Sequence, residues 1–304
     1  NKGLTYYGAI TSLPLVTANF AATTVGNYAT FAGGGGTISN GQQQRAGLLT
    51  AYDNSLTRKT GSALNDSVMN HAATTVGDYA LYGGGFNFTA VSNSVTAYNK
   101  SLTKSTPTAL SDAMTNLLAT TVGNYALFGF GDDGNAIYPM LNAYNTSLTR
   151  SDMWLDSYNY MGAATTVGDY ALFGGGRNTL AQSGEPTDFV LAIDKSLTQS
   201  TPTALSVARH SLAATTVGNY ALFAGGAISN GYSGVVDAYN ASLTRSTPTN
   251  IGVASQLAAT SLEGYALFGG GIQARGRLST VYAYDESLTR STPTALSVAR
   301  NSLA

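Results

Sequence analysis

Leu212-Ala-Ala-Thr-Thr-Val-Gly-Asn-Tyr-Ala-Leu-Phe-Ala-Gly-Gly226 is the stretch on which the reading of this chain turns. Small and β-branched residues run from Leu212 to Val217 and stop at Gly218-Asn219, a pair suited to a tight turn. Tyr220 to Phe223 is a second short run, ended by Gly225-Gly226. Two such runs joined by a turn make a hairpin. The polar stretch that follows reads as a loop, and the alternating segment Val235 to Tyr239 as a third strand. Asn240-Ala241-Ser242 turns the chain, and a fourth strand is expected from Leu243 toward Ile251. No segment shows the 3.6-residue period of a helix.

The same stretch, with small changes, fills the chain. Its Tyr falls at Tyr28, Tyr79, Tyr125, Tyr170, Tyr220 and Tyr265, in steps of 51, 46, 45, 50 and 45 residues. A second block, Ala-Tyr-Asn/Asp-x-Ser-Leu-Thr-Arg-Ser-Thr-Pro-Thr-Ala-Leu, follows each time, with its Ser at Ser55, Ser101, Ser147, Ser196, Ser242 and Ser287. Six repeats of about 47 residues with four short strands each predict an all-β chain, a six-bladed β-propeller of four-stranded antiparallel blades. It is read as a single domain over residues 1–304, with first strands starting near 20, 71, 117, 162, 212 and 257. The residue types suit that geometry. Ala and Thr dominate the first strand, which must fit the crowded axis. Pro107, Pro202, Pro248 and Pro293 are expected on the fourth strand, because proline cannot donate to a ladder and belongs at an edge.

The glycine doublets Gly33-Gly34, Gly83-Gly84, Gly174-Gly175, Gly225-Gly226 and Gly269-Gly270 each end a hydrophobic strand, and the third repeat has Gly129-Phe130-Gly131 instead. A Tyr follows in the second block at Tyr52, Tyr98, Tyr144, Tyr239 and Tyr284, with Ile193 in the fourth repeat. In these features the chain resembles the kelch repeat family, which implies a propeller. It departs in lacking a Trp shortly after that Tyr, since its one Trp is Trp154. The near-verbatim repeats are also similar to a class of bacterial and phage-encoded repeat proteins, some of them tail-fibre or surface proteins. Leu4 through Leu13 aligns with a second block, and Ala18-Asn19-Phe20-Ala21 is aligned with Ala208-Arg209-His210-Ser211. The C-terminal Ser302-Leu303-Ala304 starts another first strand. Either the N-terminal segment is an addition to a six-bladed ring, or a longer chain closes a seventh repeat with it; six is the reading for the sequence in hand.

Composition narrows the function. Charged residues make up 10%, and fifteen Lys+Arg against sixteen Asp+Glu leave a net charge of −1. No basic face for nucleic acid and no polybasic membrane patch is expected. There are no cysteines, hence no disulfide frame, thiolate metal site or cysteine nucleophile. No apolar run reaches the 18 residues a spanning helix needs. The 43% apolar content argues against disorder.

Comparing the repeats with one another separates a uniform frame from two divergent regions. One is the loop after the glycine doublet. The other is the lead into each first strand. In an antiparallel four-stranded blade both lie on the same face, so the candidate ligand-binding face carries Asn19, Gln43, Arg45, Asn70, His71, Phe86, Asn87, Phe88, Asp132, Asp133, Tyr138, Tyr158, Tyr160, Arg177, Glu185, His210, Tyr232, Gln256 and Arg275. Asn, Gln, Ser, Gly and Tyr with scattered Phe and Arg suit adaptable polar recognition with aromatic anchors, and they suit sugars.

His71 and His210 are read as rim residues at nearly equivalent positions. Asp132-Asp133-Gly134 reads as a solvated turn, lacking the spaced oxygens of a calcium loop. Trp154 reads as an outer-strand packing residue, with an aromatic platform as the rival. The recurring Arg58, Arg150, Arg245 and Arg290 (Lys104 in the second repeat) read as structural groups between blades that cap carbonyls. With no Ser–His–Asp pattern, no enzyme is expected, and no cofactor or metal. The expected function is recognition of a cell-surface glycan or glycoprotein, at a cell surface, outside the cell or on a virion, with no nucleic acid and no membrane insertion. A protein–protein scaffold or a structural part of a larger assembly is the first rival, and a channel-mouth glycan hydrolase or lyase the second.

Overall fold

The computed structural model describes residues 11–13, 18–37, 43–45, 47–155, 160–178 and 184–302. It is all-β, with six four-stranded antiparallel sheets and no helix among the described residues. These are the six blades of a β-propeller, numbered along the chain. The first strands are Ala21–Val25, Ala72–Val76, Leu118–Val122, Ala163–Val167, Ala213–Val217 and Ala258–Leu262. Each begins one residue after the start expected from the repeat. Second strands are Tyr28–Ala32, Tyr79–Gly83, Tyr125–Gly129, Tyr170–Gly174, Tyr220–Ala224 and Tyr265–Gly269. Third strands are Leu49–Tyr52, Val95–Asn99, Met140–Asn145, Val190–Asp194, Val236–Asn240 and Val281–Asp285. Fourth strands are Arg58–Gly61, Lys104–Ser105, Arg150–Trp154, Gln199–Ser200, Arg245–Ser246 and Arg290–Ser291. The blades fall into two compact units, blades 1–3 over residues 9–158 and blades 4–6 over residues 159–303.

The hairpin is as expected, with Val217 opposite Tyr220 and Ala213 opposite Ala224. The fourth strand is shorter than expected. Pro107, Pro202, Pro248 and Pro293 lie two residues beyond it, because a residue without an N–H ends the ladder and restricts its predecessor. Leu243 is in the preceding turn. There Asn240 Oδ1 accepts the N–H groups of Ser242 and Thr244, each at 3.0 Å, and Leu243 N donates to the Asn240 carbonyl at 2.8 Å. The leucine is left-handed, φ +59°, as are Leu56, Leu102, Leu148, Leu197 and Leu288 at the same place.

Within each unit neighbouring first strands lie against one another. Threonine hydroxyls join them: Thr23 to Thr75 and Thr74 to Thr121, both at 2.9 Å, and Thr165 to Thr216 at 3.3 Å. Farther out, an aromatic of the second strand meets the third-strand Tyr edge to face, as in Phe223–Tyr239 with centroids 6.0 Å apart. Phe223 lies over Gly174 of the preceding blade, where an added Cβ would come within 2.9 Å of the ring.

The Tyr then reaches the segment leaving the preceding blade. Tyr98 OH donates to the Ser62 carbonyl, Tyr144 OH to Thr108 and Tyr239 OH to Thr203, at 2.6–2.8 Å. The recurring arginine takes the next carbonyl: Arg150 on Ala109, Arg245 on Ala204 and Arg290 on Asn250. Blade 1 holds residues 11 and 12 in the same way, through Tyr52 and Arg58. The reading of these arginines as carbonyl caps between blades is therefore what the structure has.

Candidate functional site

The two divergent regions meet. Each lead pairs, backbone to backbone, with the residue seven positions after the second-strand Tyr of its own blade: Ala18 with Gly35, Met69 with Phe86, Thr115 with Asp132, Tyr160 with Arg177, His210 with Ala227 and Ser255 with Ile272. Both partners of the bridge donate, as in His210 N to Ala227 O at 3.0 Å and Ala227 N to His210 O at 2.7 Å. Parts of the loops are themselves ribbons, Gly35–Thr37 with Gln43–Arg45, Ala227–Ile228 with Gly231–Tyr232 and Ile272–Gln273 with Gly276–Arg277. These bridges correct the alignment of the leads by two residues. Ala18 corresponds to His210, and His71 corresponds to Leu212 and Leu117.

One left-handed residue follows each bridged position: Asn19, Asn70, Asn116, Met161, Ser211 and Gln256, with φ between +53° and +61°. Their backbones are chained blade to blade. Asn70 N donates to Asn19 O at 3.0 Å and Asn116 N to Asn70 O at 2.9 Å in one unit. In the other, Ser211 N donates to Met161 O at 2.7 Å and Gln256 N to Ser211 O at 2.9 Å. The turns at Asn70, Asn116, Ser211 and Gln256 are thus held by the blade before them, and their left-handed backbone is tolerated because both flanks are fixed.

The expected face residues divide into exposed and spent groups. Asn19, Glu185, Gln256 and Arg275 are exposed, and Asn70, Phe86, Tyr138, Tyr160, Arg177 and Tyr232 are partly exposed. Gln43 and Arg45 lie on the ribbon strand of blade 1. Tyr158 lies outside the described residues.

Several others are committed to the frame. Asn87 Oδ1 accepts the N–H groups of Thr89 and Ala90, closing its own loop. Phe88 lies beside Phe86, the rings tilted by 54° with centroids 6.2 Å apart, and covers Gly35 of blade 1. Asp132 is buried, accepting from Asn116 Nδ2 and from Gly134 N, both at 2.9 Å. Asp133 accepts the N–H groups of Asn135 and Ala136 at 2.8 Å and the Tyr138 hydroxyl at 2.9 Å. Those bonds hold its carboxyl below the usual range and raise the Tyr138 phenol.

His71 is corrected from rim to interior. It is 7% exposed, its ring lies over Gly33, and neither ring nitrogen has a hydrogen-bond partner. Burial lowers its pKa to about 4. It lines, with Asp66, Tyr82 and Thr96, a cavity large enough for about one water molecule.

His210 is also largely buried, but its edge is shared with the loop. Arg177 NH2 lies 2.8 Å from Nε2 and Ser211 Oγ 3.0 Å from Nδ1. The guanidinium can only donate, so Nε2 accepts and Nδ1 carries the proton. Burial, then the neighbouring Arg177 charge, lowers its pKa to about 4. The hydrogen on Nδ1 points at the serine oxygen, which is the wrong polarity for a base activating that hydroxyl. Glu185 accepts from Ser229 Oγ at 2.6 Å, tying the loops of blades 4 and 5.

The sequence reading missed a buried ion pair. Arg209 and Asp237 are both fully buried, with NH2 to Oδ2 at 2.8 Å. The signal was present: a charge inside the apolar run Val235-Val236-Asp237-Ala238-Tyr239 demands a partner. Trp154 ends the fourth strand of blade 3 and is 71% exposed. On the opposite face, an open groove is lined by Gly26, Asn27, Tyr28, Asp53, Asn54, Ser55 and Lys100. Among the described residues no group of three His, Cys, Asp or Glu is placed to hold a metal ion.

No protein-family model matches this sequence. No curated protein matches it either. Among solved structures, the chain is similar to one titled "Structure of YjhT", with a TM-score of 0.70 at 12% identity, covering 94% of this chain and 99% of that one. At that identity the likeness is one of fold, and the fold shared is the β-propeller.

Proposed function

We propose that this chain is a non-enzymatic recognition module that binds a cell-surface glycan or glycoprotein through the face formed by the leads and the second-to-third-strand loops. The observation that carries the reading is the pairing of the two divergent regions. In each blade the residues that differ most between repeats are bridged backbone to backbone, while the uniform turns lie at the blade's other end. A rigid frame that presents changeable polar and aromatic side chains is the arrangement recognition uses. Asn19, Gln256, Arg275, Tyr138, Tyr160 and Tyr232 supply amide, guanidinium and aromatic contacts for a polyhydroxylated ligand. The resemblance to surface and tail-fibre repeat proteins supports a setting on a cell surface or virion.

The test is a glycan-array and whole-cell binding screen of the chain beside a variant with Ala at Phe86, Tyr138, Tyr160 and Tyr232. Binding by the parent and its loss in a folded variant is the expected result. Equal binding by both moves recognition off this face. Absence of any glycan or cell binding, with capture of a protein partner through the same residues, gives the scaffold reading instead.

A further inference from the structure

We propose that the joint between blades 1 and 2 is a binding site for one internal water molecule, held by His71 and Asp66 in a pocket that other blades fill with side chains. Equivalent positions show what the pocket replaces. In blade 5 the lead residue Arg209 reaches the third-strand Asp237 at 2.8 Å, and both are fully buried. In blade 3 the same two positions carry Met114 and Asn142, each 0% exposed. In blade 6 they carry Ala254 and Tyr282, a small residue with a large one. In blade 2 they carry Val68 and Thr96, small on both sides. The backbone of the lead is held alike in each case. Asn65 N donates to Thr96 Oγ1 at 3.0 Å, Ser111 N to Asn142 Oδ1 at 3.0 Å and Ser206 N to Asp237 Oδ1 at 3.1 Å. The space in blade 2 therefore comes from side-chain volume and not from a displaced lead. Val68 and Thr96 line it together with Leu64, Asp66, His71 and Tyr82, and it has room for about one water.

The walls of this joint are polar where the other joints are apolar. His71 stands where three other blades have Leu117, Leu212 and Leu257. Tyr82 stands where the other five repeats have Phe31, Phe128, Phe173, Phe223 and Phe268. Thr30 of blade 1 stands where the other five have Leu81, Leu127, Leu172, Leu222 and Leu267. The last two answer each other. Tyr82 OH donates to Thr30 Oγ1 at 2.8 Å, and Thr30 Oγ1 donates to Thr23 O at 2.8 Å. His71 is beside them, its ring centroid 6.0 Å from that of Tyr82. Both of its ring nitrogens are buried without a hydrogen-bond partner in the chain. The Ala32 carbonyl is near enough to favour a proton on the ring, but it is outside hydrogen-bond geometry.

The occupant is specified by chemistry and size. A neutral imidazole presents one N–H and one lone pair, and burial makes it costly to leave them unpaired. Water both donates and accepts, so it serves the ring whichever nitrogen carries the proton. The Asp66 carboxylate, which already accepts the Ser92 hydroxyl, takes a hydrogen of the water. The Thr96 oxygen accepts from Asn65 N, which leaves its own hydrogen to donate to the water. About three polar partners is the usual shell of an ordered internal water. A metal ion is not specified, because among the described residues no third His, Cys, Asp or Glu joins His71 and Asp66.

This inference is independent of the proposed ligand-binding face and is tested without a glycan. The chains compared are the parent, Val68→Met, and Val68→Met combined with His71→Leu, which gives blade 2 the Met114 and Leu117 of blade 3. Long-lived waters are counted by oxygen-17 magnetic relaxation dispersion. Water contacts of the imidazole are read from rotating-frame cross-peaks to the His71 ring protons, with His210 as the internal reference. The parent is expected to hold one more long-lived water than the double variant and to show the cross-peak at His71. Val68→Met alone is expected to displace the water and leave the imidazole unpaired, lowering the folding equilibrium constant about tenfold in urea unfolding. The added His71→Leu is expected to recover that loss. Equal water counts in the parent and the double variant overturn the proposal. An unchanged or higher urea midpoint for Val68→Met alone also overturns it, since the methionine then fills a dry void. If Val68→Met does not fold, the water counts of the other two chains decide.

Discussion

His71 shows how one side chain departs from its repeat. The matching positions are Leu117, Leu212 and Leu257, and the imidazole has been put into the same apolar slot between blades. Its pKa is lowered from 6.5 to about 4 by burial. The unfolded chain therefore binds a proton that the folded chain refuses between these values. The stabilisation is complete above about pH 6.5 and is lost as the pH falls toward 4, up to about 3 kcal/mol. His71→Leu is expected to flatten the stability curve over that window in urea unfolding at pH 7 and pH 4.5. An unchanged slope would mean that the ring stays accessible. The left-handed leucines give a second prediction. Leu243 packs on the blade 4–5 cluster while holding a backbone conformation that costs an L-residue about 1–2 kcal/mol. Leu243→Ala loses the packing and keeps the strain. Leu243→Gly loses the packing and relieves it, so it is expected to be the more stable variant by about 1 kcal/mol in thermal unfolding. A ranking with alanine above glycine would contradict the account.

The elements were legible in the sequence where they depend on local chemistry. Gly218-Asn219 is enough to place the hairpin turn, and the small residues of Ala213–Val217 are enough to place the inner strand. The fourth strand was overextended because Leu243 has strand-like chemistry, while the turn that claims it is set by Asn240 three residues earlier. The clamp between blades is the element-level unit of stability. Removing the Tyr239 hydroxyl by Tyr239→Phe is expected to cost about 1 kcal/mol, one buried hydrogen bond. Asp237→Ala is expected to cost more, about 3–5 kcal/mol, since it leaves Arg209 buried without its charge partner. Arg209→Met combined with Asp237→Leu is expected to recover most of that loss, because a packed apolar pair needs no compensation. Urea midpoints of the single and double variants decide this, and additive losses would show that the pair is not coupled.

For the whole molecule, repeat stacking makes stability depend on neighbours. Within the unit of blades 4–6, blade 5 is covered by blade 4 on one side and blade 6 on the other, and its Val217 is 3% exposed where the matching Leu262 of blade 6 is 51% exposed. Hydrogen exchange is expected to be faster in Ala258–Leu262 than in Ala213–Val217, though the two strands are nearly the same sequence. Equal protection of both would mean that the exposure of Leu262 does not loosen its strand. The repeat period, the strand count, the inner position of the Ala/Thr strand and the arginine caps all followed from the amino-acid sequence. They rest on turn residues, side-chain size and alternation, which act over a few positions and recur six times. The burial of His71 and Asp132, the two-residue shift in the leads, the Arg209–Asp237 pair and the exposure of Leu262 emerged only from the tertiary structure. Each depends on which side chain of another strand or blade arrives opposite, often at a separation of a whole repeat. Near-identical sequence then meets different neighbours: the ten residues 200–209 recur unchanged at 291–300, yet the arginine is buried at 209 and exposed at 300.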